Sequence, residues 1–189
     1  MRFPRPDHAV SRRPLPLALA LALCSLAAML LSGCAALFGP PQPDTRPWVY
    51  LVRHAEKVQD GSADPPLSAA GQARAALLAT GIQHAGITGI LSTPYRRTRE
   101  TAAPAARWLG LSVEELPISG GLDAHVSAVV ARVRSDPEAQ WLIVGHSNTL
   151  APILAGLGGP AIDDLTEDAY GDVLILHRDG SLSRGRFGP

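Results

Sequence analysis

From Trp48 onward, hydrophobic and polar positions fall into two kinds of block. Short apolar runs bounded by Gly, Pro or polar residues predict buried strands. These are "WVYLV" (Trp48–Val52), "ITGILS" (Ile87–Ser92), "LSVEEL" (Leu111–Leu116) and the most apolar, within "QWLIVGHS" and ending at Gly145. Between them, apolar residues recur at helical spacing. Ser68 predicts the N-cap of a helix running through "AAGQARAALLATGIQHAG". "PYRRTRETAAPAARWLG" predicts a second helix, opened by Pro94 and stopped by Gly110, with a kink or local break at Pro104. "GLDAHVSAVVARVRS" places Leu122, Val126, Val129, Val130 and Val133 on one face of a third, and "NTLAPILAGLGG" forms a fourth. "GDVLILHRDGSLSRGRFG" predicts a terminal hairpin turning at Asp179-Gly180. Trp48, Trp108 and Trp141 are expected as core aromatics. Strands alternating with helices imply an α/β protein: a three-layer α/β/α sandwich with a mostly parallel sheet.

The first 33 residues read differently. Arg2, Arg5, Arg12 and Arg13 precede a 17-residue apolar run, Leu15–Leu31, which is at the short limit for a membrane span and is closed by small residues. That is the shape of a secretory signal peptide. It ends in "LSGC" (Leu31–Cys34), which resembles the lipobox of bacterial lipoproteins at all four positions. The resemblance implies a signal peptide over 1–33, a lipidated Pro-rich tether over 34–47, and a domain over 48–189. Acyl chains on Cys34 would hold the exported protein to the membrane. Ala35, where inner-membrane lipoproteins carry aspartate, leans towards the periplasmic side of the outer membrane. With Cys24 removed and Cys34 acylated, no cysteine is left for a disulfide, a thiolate metal site or a thiol nucleophile.

Residues 34–189 hold 13 Lys and Arg against 16 Asp and Glu, a net charge of −3, with Lys57 the single lysine. No basic run points to nucleic acid. The informative charges sit at strand ends, where ligands bind in open α/β sheets. Arg53-His54 follows the first strand, Ser92–Arg97 the second, and Gly145-His146-Ser147 the "WLIV" strand. Two arginines and two histidines converging at one sheet edge make a cationic pocket. Buried like charges cost free energy unless an anion is the guest. Arginine forks match phosphate bidentately, and the helix start near Pro94 adds positive potential. A neutral imidazole nitrogen is a competent nucleophile towards phosphorus, and guanidinium groups can neutralise the phosphoryl oxygens. Two histidines also invite a metal. Arg53 beside His54 would repel a divalent cation, and no third histidine has suitable spacing. The expectation is therefore a small phosphorylated substrate, with no metal and no cofactor.

"LVRHAEK", "STPYRRTRETA" and "VGHSN" together resemble, in order, the three signature segments of the histidine phosphatase superfamily, in its phosphoglycerate-mutase-like branch. The resemblance implies that fold and residue roles to match. His54 would become phosphohistidine. Arg53 and Arg97 would bind phosphoryl oxygens, His146 would complete the phosphate pocket, and Ser147 and Asn148 would line it. Ala55 stands where the family usually has glycine. The family's proton-donating glutamate follows the third strand, and the short segment "EELPISGGLDAHVSAVV" offers no clear equivalent. Asp123 is the first candidate acid and Glu56 the alternative, with His125 also in range. Asp123 reads equally well as an ordinary helix N-terminal aspartate. Tyr170 and Asp172 read as structural. The implied activity is a metal-independent phosphatase. A protein phosphohistidine phosphatase and a phosphoglycerate-type mutase are the enzyme alternatives, and a lipid-anchored phosphate-binding module without turnover is the alternative of another class.

Overall fold

The computed structural model describes residues 42–188. The expected signal peptide, Cys34 and most of the tether lie outside the described residues. Six strands and four helices follow in order: β1 (Pro47–Arg53), α1 (Ala69–Gly81), β2 (Gly89–Ser92), α2 (Arg96–Leu109), β3 (Val113–Glu115), α3 (Leu122–Arg134), β4 (Trp141–Gly145), α4 (Ser147–Gly156), β5 (Asp172–His177) and β6 (Leu182–Arg186). They form one sheet in the order β3-β2-β4-β1-β5-β6. The β3, β2, β4 and β1 pairings are parallel, and β5 and β6 join antiparallel.

Both faces of the sheet are covered, which is why the central strands are continuously apolar rather than alternating. Val49 and Leu51 of β1, with Trp141 and Ile143 of β4, pack on one side with Val129 and Val133 of α3 and Leu150, Ile153 and Leu154 of α4. Tyr50, Val52, Leu142 and Val144 point to the other side, with Leu78 and Ala79 of α1 and Ala102 and Ala105 of α2. The result is the expected three-layer sandwich, with the terminal hairpin turning through Asp179-Gly180 between β5 and β6.

Several sequence expectations are corrected. Trp108 is 64% exposed. The buried stripe of α2 runs through Thr98, Thr101, Ala102 and Ala105, and Trp108 falls off it. Leu122 is likewise exposed at the start of α3, whereas Val129 and Val133 are buried. Helix α2 runs unbroken through Pro104, so the missing N–H costs one helical hydrogen bond without ending the helix. Helix α1 stops at Gly81, five residues earlier than the pattern implied, and Ile82 caps it by donating to the Leu78 carbonyl.

The parallel register sets the site. Arg53 of β1 lies opposite Gly145 of β4, and Val144 lies opposite Ser92 of β2. Three chain segments therefore leave the sheet level with one another at its carboxyl edge.

Candidate active site

His54 is the first residue beyond β1, and its backbone N–H donates to the Gly145 carbonyl at 2.9 Å. This bond continues the parallel ladder one step and fixes where the side chain departs. The ring is 4% exposed. Its Nδ1 lies 2.8 Å from the Ala55 carbonyl oxygen. A carbonyl only accepts, so Nδ1 carries the proton in that bond and Nε2 of the neutral ring keeps its lone pair. Burial pushes the imidazole down to about 4; the Ala55 hydrogen bond opposes this, and the charges of Arg53, Arg97 and Lys57 add to it. His54 is thus a neutral, oriented imidazole at physiological pH.

His146 N-caps α4 from the end of β4. Its ring centroid is 5.4 Å from that of His54, at 66°. Burial, then the neighbouring His54 and Arg97, push it down to about 3. Its Nε2 lies 3.1 Å from Thr93 Oγ1, which pairs with Thr98 Oγ1 at 2.8 Å. The Thr98 hydroxyl has carbonyl acceptors in Thr93 and Tyr95. Every bond is satisfied when Thr98 donates to a carbonyl, Thr93 donates to Thr98, and His146 donates from Nε2 to Thr93. Gly145 before it is needed for space. A Cβ there would stand 2.7 Å from Thr149 Oγ1 and 2.8 Å from Leu150 Cδ2.

Arg53 is 2% exposed. Its guanidinium donates to the Thr166 carbonyl at 3.0 Å and to Glu167 Oε2 at 2.6 Å, and stacks 4.3 Å from the Tyr170 ring centroid. Its buried Nε has no partner. Arg97, in the first turn of α2, stacks 4.3 Å over Tyr95 and lies 3.7 Å from Asp64. Thr101, fully buried one turn on, ties the two segments together. Its hydroxyl accepts from the Ala55 N–H at 2.9 Å and donates to the Arg97 carbonyl at 2.7 Å.

These groups enclose a cavity of about 280 Å³ that brings together all six residues expected there: Arg53, His54, Arg97, His146, Ser147 and Asn148. Lys57, Tyr95, Ile118 and Glu167 complete its wall. A larger groove of about 610 Å³ lies between α1 and α2, but its wall holds no histidine and neither Arg53 nor Arg97, so the smaller cavity is where the chemistry converges. Among the described residues, no three His, Cys, Asp or Glu side chains converge as metal ligands would.

The two expected proton donors are not brought to this cavity. Glu56 turns to Arg74, which binds it at 2.7 Å. Burial alone would raise the Glu56 carboxyl, but the Arg74 hydrogen bonds and charge win and hold it below the usual range. Asp123 is exposed in the first turn of α3 and takes no part in the cavity wall. His125 is buried, with Nδ1 3.3 Å from the Pro117 carbonyl, and is not part of the wall either. The carboxylate that does line the cavity, Glu167, carries no motif and lies 114 residues from its partner Arg53.

With this geometry in view, residues 49–118 match the model of the histidine phosphatase superfamily, branch 1. Over that segment, which carries Arg53, His54 and Arg97, the chain is similar to the histidine phosphatase superfamily. The "probable phosphoglycerate mutase GpmB" of Escherichia coli is 41% identical over 71 residues, which is 34% of this chain and 33% of that protein. The chain thus matches about a third of the length of the curated relatives. Solved structures share the fold across most of the described residues. The protein histidine phosphatase SixA, solved with tungstate, superposes with a TM-score of 0.57 at 20% identity, covering 74% of this chain and 94% of that one. A phosphoglycerate mutase from Bacillus anthracis gives 0.54 at 14% identity, covering 76% and 94%. Superfamily members are phosphatases or mutases, and phosphoryl chemistry of that kind suits this pocket. Among the described residues, no helix is long and apolar enough to cross a membrane.

Proposed function

We propose that the protein is a metal-independent phosphatase that hydrolyses phosphate monoesters through a phosphohistidine on His54. The observation that carries the reading is the His54 tautomer. The Ala55 carbonyl holds the proton on Nδ1, so Nε2 presents an unprotonated lone pair to a cavity also walled by Arg53, Arg97 and Lys57. Nε2 attacks phosphorus, the bond to the leaving oxygen breaks, and the electron pair departs with that oxygen. Arg53 and Arg97 neutralise the phosphoryl oxygens, as pre-placed cations do in phosphoryl transfer. Ser147 and Asn148 add the positive N-terminus of α4. His146, kept neutral chiefly by burial, would donate to the same oxygens once the charge of an incoming phosphate favours its protonation. Water then attacks the P–N bond, loses its proton to solvent and releases phosphate, leaving His54 neutral again.

The carboxylate in the cavity wall is held ionised. The Ser147 hydrogen bond first, and then the charge and hydrogen bond of Arg53, outweigh burial and keep Glu167 below the usual carboxylate range. It is therefore poorly suited to protonate a leaving group. This favours leaving groups that depart without protonation, such as aryl phosphates, and supports a second reading in which the substrate is a phosphoramidate such as protein phosphohistidine.

The same reading places the domain on the exported face of the bacterial envelope through acylated Cys34, on the strength of the lipobox-like "LSGC" alone.

The test is hydrolysis of p-nitrophenyl phosphate by the full chain with EDTA present, alongside His54→Ala. Turnover that survives EDTA and disappears in the variant supports the reading, as does acid-labile, base-stable phosphate trapped on the wild-type chain. No turnover of either an aryl phosphate or a phosphoramidate between pH 4 and 8 would leave a binding module and overturn it.

A further inference from the structure

The cavity is electrostatically one-sided. The guanidinium of Arg53 lies at its base, 2% exposed, and Arg97 is 16% exposed in its side chain. Lys57 lies close enough to His54 for its charge to depress that imidazole, so it belongs to the same cationic set. Glu167 is the opposite in sign and in place, with 82% of its side chain exposed. Its Oε2 accepts from Arg53 at 2.6 Å and its Oε1 accepts from the Ser147 hydroxyl at 2.9 Å. Arg53 and Glu167 thus form a contact ion pair in the cavity wall, with its positive end buried and its negative end exposed.

A phosphate drawn to the buried arginines must present phosphorus to His54 Nε2. The leaving group attached to it then extends towards the exposed side of the cavity, because Arg53, His54 and His146 are buried and Glu167 is not. Whatever charge the leaving group carries meets the Glu167 carboxylate. A leaving group bearing its own carboxylate or second phosphate meets like charge, and one bearing an ammonium meets its counterion.

We propose that Glu167 is a specificity-determining residue, and that the pocket selects phosphate esters with a cationic group a few bonds from the phosphate over esters whose tail is anionic. This rests on the reading of His54, Arg53 and Arg97 as the phosphate seat. Charges about 6 Å apart in a partly solvated rim shift an equilibrium by about three- to tenfold. The contrast between a cationic and an anionic tail therefore amounts to about ten- to a hundredfold. Replacing Glu167 also alters the hold on Arg53, but that change acts on the common phosphate and cancels in a ratio between esters.

The experiment uses the full chain with His54→Ala to prevent turnover. Calorimetry measures the binding of phosphocholine, glycerol 3-phosphate and 3-phosphoglycerate, with and without Glu167→Gln. The expected order of affinity is phosphocholine, then glycerol phosphate, then phosphoglycerate. Glu167→Gln is expected to shrink the phosphocholine-to-phosphoglycerate ratio by that same factor of about ten to a hundred, and raising salt is expected to shrink it in the Glu167 protein only. An unchanged ratio in Glu167→Gln, or tighter binding of phosphoglycerate than of phosphocholine, overturns the proposal. Aryl phosphate turnover by the wild-type chain separates this from the underlying reading. Turnover with no tail preference sinks the inference and keeps the phosphatase. A Glu167-dependent preference without turnover keeps the subsite and sinks the phosphatase. Failure of all three esters to bind overturns the subsite, and the aryl phosphate assay decides the phosphatase reading separately.

Discussion

Acidification is the perturbation that most directly tests the state of His54. The nucleophilic form is the neutral ring. An unperturbed histidine titrates near 6.5, so at pH 5 only about 3% of it would be neutral. Burial, with Arg53, Arg97 and Lys57 nearby, lowers His54 to about 4. About nine-tenths of it is then still neutral at pH 5, a difference of roughly 30-fold in competent enzyme. The assay is kcat/KM for an aryl phosphate from pH 3.5 to 7.5, corrected for the ionisation of the substrate itself. The acid limb attributable to the free enzyme is expected near pH 4. Stability follows the same linkage. Between pH 4 and 6.5 the unfolded chain binds more protons at this residue than the folded chain does, so stability rises with pH across that window. The contribution of His54 is of order 3 kcal/mol. His146, lowered to about 3, is coupled to it through rings 5.4 Å apart, so the pair titrates as a unit and the two contributions do not simply add. An acid limb at pH 6 to 6.5, together with urea midpoints that do not move between pH 4.5 and 6.5, would refute the argument that burial keeps this imidazole neutral.

Two substitutions outside the phosphate seat probe how the seat is held. Thr101→Val keeps the shape but strands the buried Ala55 N–H and removes the hydroxyl bond to the Arg97 carbonyl. It is expected to cost about 1–3 kcal/mol, read as a fall in Tm of roughly 3–10 °C, and to lower kcat/KM, with Thr101→Ser recovering most of both. Gly71→Ala would push a Cβ into the backbone carbonyl of Glu56, which already accepts from the Ser68 N–H at 2.8 Å. Because backbone rather than a flexible side chain blocks the way, a destabilisation of about 1–3 kcal/mol is expected in urea unfolding, although alanine is the better helix former.

What the sequence disclosed was local in character. Arg53 and His54 are adjacent, Arg97 sits one turn into a predicted helix, and His146 follows the most apolar run of the domain. Each could be placed at a strand's carboxyl end from its own neighbours, and the parallel register then brings them together. Trp108 shows a different failure. Trp108 lies three residues beyond Ala105 and seven beyond Thr101, just past the edge of the buried stripe of α2, where helical spacing alone does not separate a covered position from an exposed one. Glu56, the alternative candidate acid, rests on closeness in sequence to His54, which is not closeness in space. Glu56 is two residues from the nucleophile, yet the chain leaving β1 turns its carboxylate onto Arg74 of α1.

The part that could not be read is the loop between α4 and β5. A guanidinium 2% exposed at the end of an apolar strand is expensive unless its N–H groups find partners. The Thr166 carbonyl, the Glu167 carboxylate and the Tyr170 ring supply them, all from within five residues of that loop and all more than 110 residues from Arg53. No periodicity marks such a segment, because its role depends on where α4 delivers it rather than on any face it presents. The partners leave the buried Nε of Arg53 unsatisfied, a donor that an oxyanion would complete. On the proposed function, the strand-end motifs specify which groups meet phosphate, while this unmarked loop sets how strongly Arg53 is held and which charge lies on the exposed side of the cavity. Two chains with the same three motifs and different loops here would share the chemistry and differ in substrate.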